Sequence, residues 1–431
     1  MSITFINHGP WLTNPDIGKI TIGFSTAVPC AAAVELREAH SLRWKRIDQQ
    51  EGGQIVRAET RHIFHVDSLV PGAEYEYAVI AYDPDGSSLQ RFEGTFTAFG
   101  RERGKYSFLV MADFQFPIDR RRELLCKDHE LANAKSCDFI VCLGDMLNII
   151  DDFEKDQLGG VIDLLKASGF LEKPIIFVRG NHELRGKASW EWNRWFASPE
   201  GNPYSAFRQG NTAFLALDSW SDRPSAKGTP FAFNLDESFL ADEAAFLDRA
   251  VQNEAFQTAD FKIVMAHGAS HSHIDQFLFL NPNMHRLTDK YFKGTKPPVP
   301  IHLWICGHIH HYIRTVPGKP ECASISHPPQ PVTTPEDYSF PVITTDGPNV
   351  MAEIVPPSGI QTSVFHVTVT DEGLEIKAIA EERGVIDHFV ITKSHQIIEK
   401  MPIEHYLWES DKKTDRVSSH GHEIGHSCSS H

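Results

Sequence analysis

Five short segments concentrate the residue types able to do metal or acid–base chemistry. They are Asp113-Phe-Gln115, Gly144-Asp145-Met-Leu-Asn148, Gly180-Asn181-His182-Glu183, His267-Gly268 and Gly307-His308-Ile-His310-His311-Tyr312. Each follows a run that reads as a buried strand: Ser107–Ala112, Phe139–Leu143, Pro174–Val178, Phe261–Ala266 and Ile301–Ile305. In open α/β sheets ligands bind beyond the carboxyl ends of the strands. One rim therefore receives Asp, Asp, Asn with His, His, and two further His. Such carboxylate, amide and imidazole donors suit Mn, Fe or Zn, and one carboxylate can bridge two ions roughly 3.5–4 Å apart. The set predicts a pair of divalent metal ions. Glycines before Asp145, Asn181 and His308 give backbone freedom for tight strand-to-loop turns. The alternation His308-Ile-His310 predicts extended backbone with both imidazoles on one side.

The elements that must carry these segments fall into two groups. Over residues 1–99, alternating or β-branched runs at Ile20–Ser25, Ala32–Arg37, Gln54–His65, Glu74–Tyr82 and Arg91–Thr97 are separated by turn signals, and predict a small all-β sandwich. Over residues 104–395, apolar strand-like runs alternate with helical patterns at Asp119–Ala134, Asp152–Ala167, around Trp190–Phe196 and near Leu240–Gln252. That is the signature of strands buried on both faces of an α/β layered domain. Val364–Thr370 and Leu374–Ala380 read as a hairpin closing a sheet. Residues 396–431, polar and rich in Ser, Gly and His, read as a disordered tail.

Composition excludes several classes. With 431 residues, 41% hydrophobic and 23% charged, the chain can bury a large core without staples. A net charge of −16 repels nucleic-acid backbones, so long nucleic acids are not expected partners. Seven scattered cysteines form neither a disulfide framework nor a CxxC pair. The amino terminus shows no secretion signal and no run is long enough to span a membrane, so the expected location is the cytoplasm. The 23 histidines are the outlying count, eight of them between His267 and His311.

The ordered set Asp113–Gln115, Gly144–Asn148, Gly180–Glu183, His267 and Gly307–His310 resembles the signature of calcineurin-like metallophosphoesterases. The extension through Tyr312 and Arg314 is similar to that of the purple acid phosphatases, which also carry a fibronectin-like domain ahead of the catalytic one. Leu69–Tyr77 resembles the corner before strand F of fibronectin type III domains, with Tyr75 or Tyr77 as the corner tyrosine. The resemblance implies a four-layer α/β/β/α sandwich behind a small all-β module. It makes Asp145 the bridging carboxylate, places Asp113 and His310 on one metal, and Asn181, His267 and His308 on the other. His182 would steady the phosphoryl oxygens or protonate the leaving group. The implied reaction is hydrolysis of a small phosphomonoester by in-line attack of a metal-bridging hydroxide. A phosphodiesterase or pyrophosphatase acting on a nucleotide or lipid headgroup would use the same ligands, and a degenerate binding protein is the reading outside enzymes.

Two positions depart from the pattern. Gln115 stands where a histidine is usual; its amide oxygen can coordinate but lacks the basicity of imidazole. Asn148 replaces the tyrosine ligand of purple acid phosphatases, so an Mn, Fe(II) or Zn centre with a neutral optimum is expected. Around the motifs, Arg179, Arg185 and Arg314 are candidates for phosphate contact, with Asn148, His271 and Tyr312 at the substrate cleft. Arg314 reads equally as a structural ion pair. His271 and His273 rival His267 as ligands, but only His267 directly follows a strand. His311 reads as a surface or supporting residue. Trp190, Trp192 and Trp195 read either as packing of one helix or as a wall for a leaving group.

Overall fold

The computed structural model describes residues 5–83, 85–102, 104–219, 237–270, 282–310, 312–318, 322–324, 338–345, 363–380, 384–402 and 405–406. Two sheets pack face to face beyond the N-terminal module. One runs Ile397–Glu399, Gly384–Thr392, Gly373–Ala380, Ser363–Val369, Tyr106–Met111, Phe139–Cys142 and Ile175–Phe177. The other runs Ser205–Gln209, Thr212–Leu217, Phe261–Ala266, Leu303–Cys306, Val342–Thr344, Ile313–Thr315, Cys322–Ser324 and His405–Tyr406.

The period of two in the sequence decides which side chain faces which layer. In the strand Tyr106–Met111, Phe108 and Val110 enter the core between the sheets while Leu109 and Met111 turn to the outer helices. In Leu303–Cys306, Leu303 and Ile305 face the inter-sheet core, and Trp304 and Cys306 face the opposite helical layer. Helices Ile118–Leu131 and Phe153–Ala167 cover the first sheet, and Glu237–Gln252 and Pro282–Tyr291 cover the second. The result is the expected α/β/β/α sandwich. Parallel pairing of Tyr106–Met111 with Phe139–Cys142, and of Phe139–Cys142 with Ile175–Phe177, brings their carboxyl ends to one rim. Phe261–Ala266 and Leu303–Cys306 do the same in the other sheet.

The N-terminal module is a β-sandwich built around the 20-residue strand Lys19–Glu38. Its first part pairs with Ile6–Asp16 and Glu59–Val66, and its second part with Lys45–Asp48 and Glu74–Tyr82. Tyr75 is the corner tyrosine: its hydroxyl accepts from the Val70 N–H at 2.9 Å. The module also joins the first of the two sheets, because Thr13 pairs in parallel with Ile175. Buried Trp11 packs on Trp195 and Phe196, with ring centroids 6.0 and 5.7 Å away.

Three local features differ from the sequence reading. The helix predicted over Asp152–Ala167 is wound as a π-helix over Phe153–Ile162 and as an α-helix over Asp163–Ala167. Its Gly160 carbonyl takes a hydrogen bond from Arg121 Nη1 at 2.6 Å, an outside partner that competes with the regular helical ladder. The strand Ile397–Glu399 continues the first sheet past residue 395, where the sequence pattern fades. Trp192 and Trp195 are buried in the helical layer, whereas Trp190 is 63% exposed. His271, His273, His311 and the tail histidines lie outside the described residues.

Candidate metal centre

Asp113, Asp145, Asn181, His267, His308 and His310 meet at the rim where the two sheets face each other. Donor atoms of Asp145, His267 and His308 all lie within 4.8 Å of one another. Asp145 Oδ2 is 3.1 Å from His267 Nε2, and Asp113 Oδ1 is 3.4 Å from His310 Nε2 and 3.8 Å from His267 Nε2. Both oxygens of Asp145 are engaged: Gln115 Nε2 donates to its Oδ2, and the His182 N–H donates to its Oδ1 at 2.8 Å.

The backbone is bent to aim these side chains. Asp113, Asp145, His308 and His310 all have positive φ, at 65°, 53°, 74° and 55°. Left-handed backbone at non-glycine residues costs of order 1–3 kcal/mol each and clusters at functional sites. The expectation of extended backbone at His308-Ile-His310 is therefore corrected. The Ile309 N–H bonds the Gly307 carbonyl at 2.9 Å, a tight turn that aims the imidazoles by curvature. The glycines also divide by role. Gly144 has φ 93°, but Gly180 and Gly307 are needed for space: a Cβ on Gly307 would sit 2.5 Å from Asp113 Oδ2.

Hydrogen bonds fix the tautomers. His267 Nδ1 donates to the Leu143 carbonyl at 2.9 Å, which leaves Nε2 facing Asp145. His182 Nδ1 donates to the Asn148 carbonyl at 2.7 Å, and its Nε2 lies 3.7 Å from Asp145 Oδ2. Burial would raise the Asp145 carboxyl, but His267 and His182 pull it well below the usual range. Burial lifts Asp113 to about 7. For His267, burial alone would lower the imidazole, yet Asp145 outweighs it and holds it up at about 10. Burial pushes His310 down to about 3, so it presents neutral nitrogens.

Two observations show that these residues fit a cation. Among the described residues His310 Nδ1 is buried with no hydrogen-bond partner. One end of the Asn181 amide lies 3.0 Å from His308 Nδ1, 3.2 Å from His267 Nε2 and 3.2 Å from Asp145 Oδ2, and the other end lies 2.9 Å from Arg185 Nη2. With oxygen inward the amide joins His308 Nδ1 and Asp145 Oδ2 as a fellow donor to a cation; with nitrogen inward it donates to them while its oxygen accepts from Arg185 Nη2. A divalent ion would select the first arrangement, among carboxylate, amide and imidazole donors.

Glu183 is the organising residue that the sequence reading left without a role. Buried behind Asp145, it accepts from the N–H groups of Asp145 and Gly180 at 2.8 Å each and of Met146 at 2.9 Å. Burial, then the neighbouring Asp145, lifts it to about 7. Its place in Gly180–Glu183 was the available signal. Asp218, at the end of a sixth strand, was missed as well.

Several substrate candidates sit away from the cluster. Arg179 is 6% exposed, with Nε and Nη2 at 2.7 and 2.6 Å from Asp218 Oδ2. Arg314 is 1% exposed and paired with Asp387 at 2.7 Å and Glu399 at 2.9 Å. Tyr312 is buried and donates to the same Asp387. These residues hold the core together, and the ion-pair reading of Arg314 is the one its surroundings carry. Asn148 is exposed at the rim, where its carbonyl orients His182.

Residues 106–312 match the family model of the calcineurin-like phosphoesterases. This segment is a calcineurin-like phosphoesterase domain. Its fold is shared by a purple acid phosphatase, PPD1, from yellow lupin (Lupinus luteus) seeds, at TM-score 0.59 and 15% identity over 89% of this chain and 74% of that one. PhoD superposes at TM-score 0.58 and 11% identity over 93% of this chain and 92% of that one. No curated protein sequence matches significantly. The phosphoesterase domain carries all six clustered residues, and the chain is a metal-dependent phosphoric ester hydrolase.

Proposed function

We propose that the protein is a dinuclear phosphoesterase acting on a small phosphomonoester. The observation that carries this reading is the convergence of two carboxylates on one set of imidazoles: Asp145, His267 and His308 lie within 4.8 Å of one another, and Asp113 Oδ1 is 3.8 Å from the same His267 and 3.4 Å from His310. Asp145 would be shared by two ions, with Asp113 and His310 holding one and Asn181, His267 and His308 the other. Gln115, whose amide nitrogen meets Asp145 Oδ2, could coordinate through its oxygen if that amide turned over. Two divalent ions held there supply a nucleophile at neutral pH and neutralise charge on the transferring phosphoryl group. Mn, Fe(II) and Zn all suit the donor set.

The chain's own residues do the rest. His182 faces the cluster with its ring fixed by the Asn148 carbonyl, the geometry of a group that steadies a phosphoryl oxygen or protonates a leaving alkoxide. Glu183 holds the Asp145 and Gly180 turns so that the bridge and Asn181 keep their spacing. No described helix is long and apolar enough to cross a membrane. The test is a panel of monoesters, diesters and pyrophosphates against metal-reconstituted protein. Monoesters should be hydrolysed fastest; a diester or pyrophosphate preference moves the substrate class, and turnover of none defeats the reading.

A further inference from the structure

We infer that Asp218 and Ser219 are positioning residues for the metal site assigned to Asn181, His267 and His308, a role that rests on the phosphoesterase reading above. Both are buried and directly follow the strand Thr212–Leu217. That strand runs parallel to Phe261–Ala266 with Leu217 opposite Ala266, so Asp218 leaves the sheet beside His267 and Ser219 beside Gly268. Asp218 reaches across to the first sheet. Its Oδ2 accepts from Arg179 Nε at 2.7 Å and lies 2.6 Å from Arg179 Nη2, a charge-assisted pair. The guanidinium is flanked by the rings of Trp192 and Phe239, each 5.8 Å away. From the other side, the Asp218 N–H donates to Glu243 Oε1 at 2.9 Å, which ties the strand end to the helix Glu237–Gln252.

What these contacts hold still is the main chain beside two ligands. Arg179 directly precedes Gly180-Asn181, and Gly180 has no room for a Cβ against Asp145 Oδ1, so drift at Arg179 would push Asn181 against that carboxylate. Ser219 acts within the second sheet. Its Oγ accepts from the Gly268 N–H at 2.9 Å, and the Gly268 carbonyl accepts from Trp304 Nε1 at 3.1 Å. Gly268 is thus fixed at both its polar groups, immediately after His267, whose own carbonyl accepts from the Gly307 N–H at 3.0 Å. One strand end therefore sets the spacing of ligands delivered from two sheets, Asn181 through Arg179 and His267 through Gly268. Both ligands belong to the same assigned ion. Supporting contacts on rigid elements fix ligand direction and so tune metal affinity.

The experiment titrates Mn into full-length protein against a competing chelator, which resolves the binding constants, and follows denaturant unfolding of each metal-free variant. Ser219→Ala and Asp218→Asn should each weaken one Mn by about tenfold while the other stays within about twofold of wild type. The weakened ion should be the one that Asn181→Ala removes. Ser219→Ala, which deletes a single hydroxyl, carries the test should Asp218→Asn not fold. Lower unfolding stability with unchanged Mn affinity overturns the assignment, as does equal weakening of both ions or weakening of the ion that Asn181→Ala retains; each would make the strand end a scaffold only. A wild type that binds one Mn, weakened by these variants, leaves the positioning role standing and defeats the dinuclear reading. Two Mn in wild type with neither variant altered does the reverse.

Discussion

Asp145 Oδ2 and His267 Nε2 lie 3.1 Å apart, each side chain about 1% exposed, with His267 held from behind by the Leu143 carbonyl. A buried carboxylate and a buried imidazole at that separation stabilise each other's charged forms. The same two atoms are the ones a cation would bind, so proton and metal compete for one place.

That competition gives a pH dependence with a definite sign. His267 is held up at about 10 and Asp113 at about 7, so a divalent ion must displace protons from groups that retain them near neutrality. Apparent metal affinity should rise with pH between about 6 and 9, by roughly tenfold per unit for each proton released. Calorimetry of Mn binding in two buffers of different ionisation enthalpy measures that release. A pH-independent affinity with no proton release would contradict the geometry.

Substitution of His182 should leave metal content intact and reduce turnover. His182→Ala removes the ring that faces Asp145 Oδ2 at 3.7 Å, and a positioned acid–base group contributes about 10²- to 10⁴-fold. Esters with activated leaving groups need less protonation and should be affected least. Equal losses for activated and unactivated esters would instead leave His182 as a phosphoryl contact only.

Glu183 should act as a positioning residue. Glu183→Gln sets an amide NH2 either against the Met146 N–H or against the Asp145 and Gly180 N–H groups together. Loss of such a buried charged acceptor costs about 2–4 kcal/mol of stability. Metal affinity should fall by about 10- to 100-fold, as for other supporting partners of metal ligands. Denaturant titration and a metal-binding isotherm check the two effects independently.

Acid should destabilise the protein through histidines remote from the centre. Burial pushes His62, packed on Phe24 in the N-terminal sandwich, down to about 4, and does the same to His302. Because the folded values lie below the unfolded value of 6.5, the stability each contributes is present above pH 6.5 and is lost as pH falls toward 4. Full protonation costs on the order of 3 kcal/mol per site. Thermal melts of wild type and His62→Gln between pH 7 and about 4.5 should diverge in slope; parallel curves would count against a neutral buried His62.

Removal of the Arg314 network separates architecture from binding. Asp387→Asn leaves the buried Arg314 with a neutral amide at that position and Glu399 as its remaining carboxylate partner, while Tyr312 keeps an oxygen to donate to. Breaking one partner of a buried ion pair typically costs about 3–5 kcal/mol. Unfolding should shift accordingly, with KM unchanged at temperatures where the variant is folded. A raised KM with unchanged stability would return Arg314 to the substrate.

Much of the centre was legible because it is local. Asp113, Asp145, Asn181, His267 and His308 each follow a strand that the apolar pattern marks, and period-two burial places Phe108 and Val110 against Leu109 and Met111 as alternation requires. What was illegible depends on distant partners. Arg179 and Arg314 look like phosphate ligands until Asp218 and Asp387 arrive from 39 and 73 residues away. Gly307 signals a turn, but the residues that take the left-handed backbone are His308 and His310, whose type does not mark it, and the π-helical start of Phe153–Ala167 answers to Arg121, 39 residues away from Gly160. Glu183 sat inside a recognised motif, yet its work is done through three backbone N–H groups that sequence does not display.

The measurement that bears most directly on the central claim is elemental analysis of metal per chain in Mn-reconstituted wild type and Asp145→Asn. A bridging Asp145 predicts about two ions per wild-type chain and a loss from both sites in the variant. One ion or none in wild type, or two ions retained in Asp145→Asn, would contradict a dinuclear centre bridged by this carboxylate.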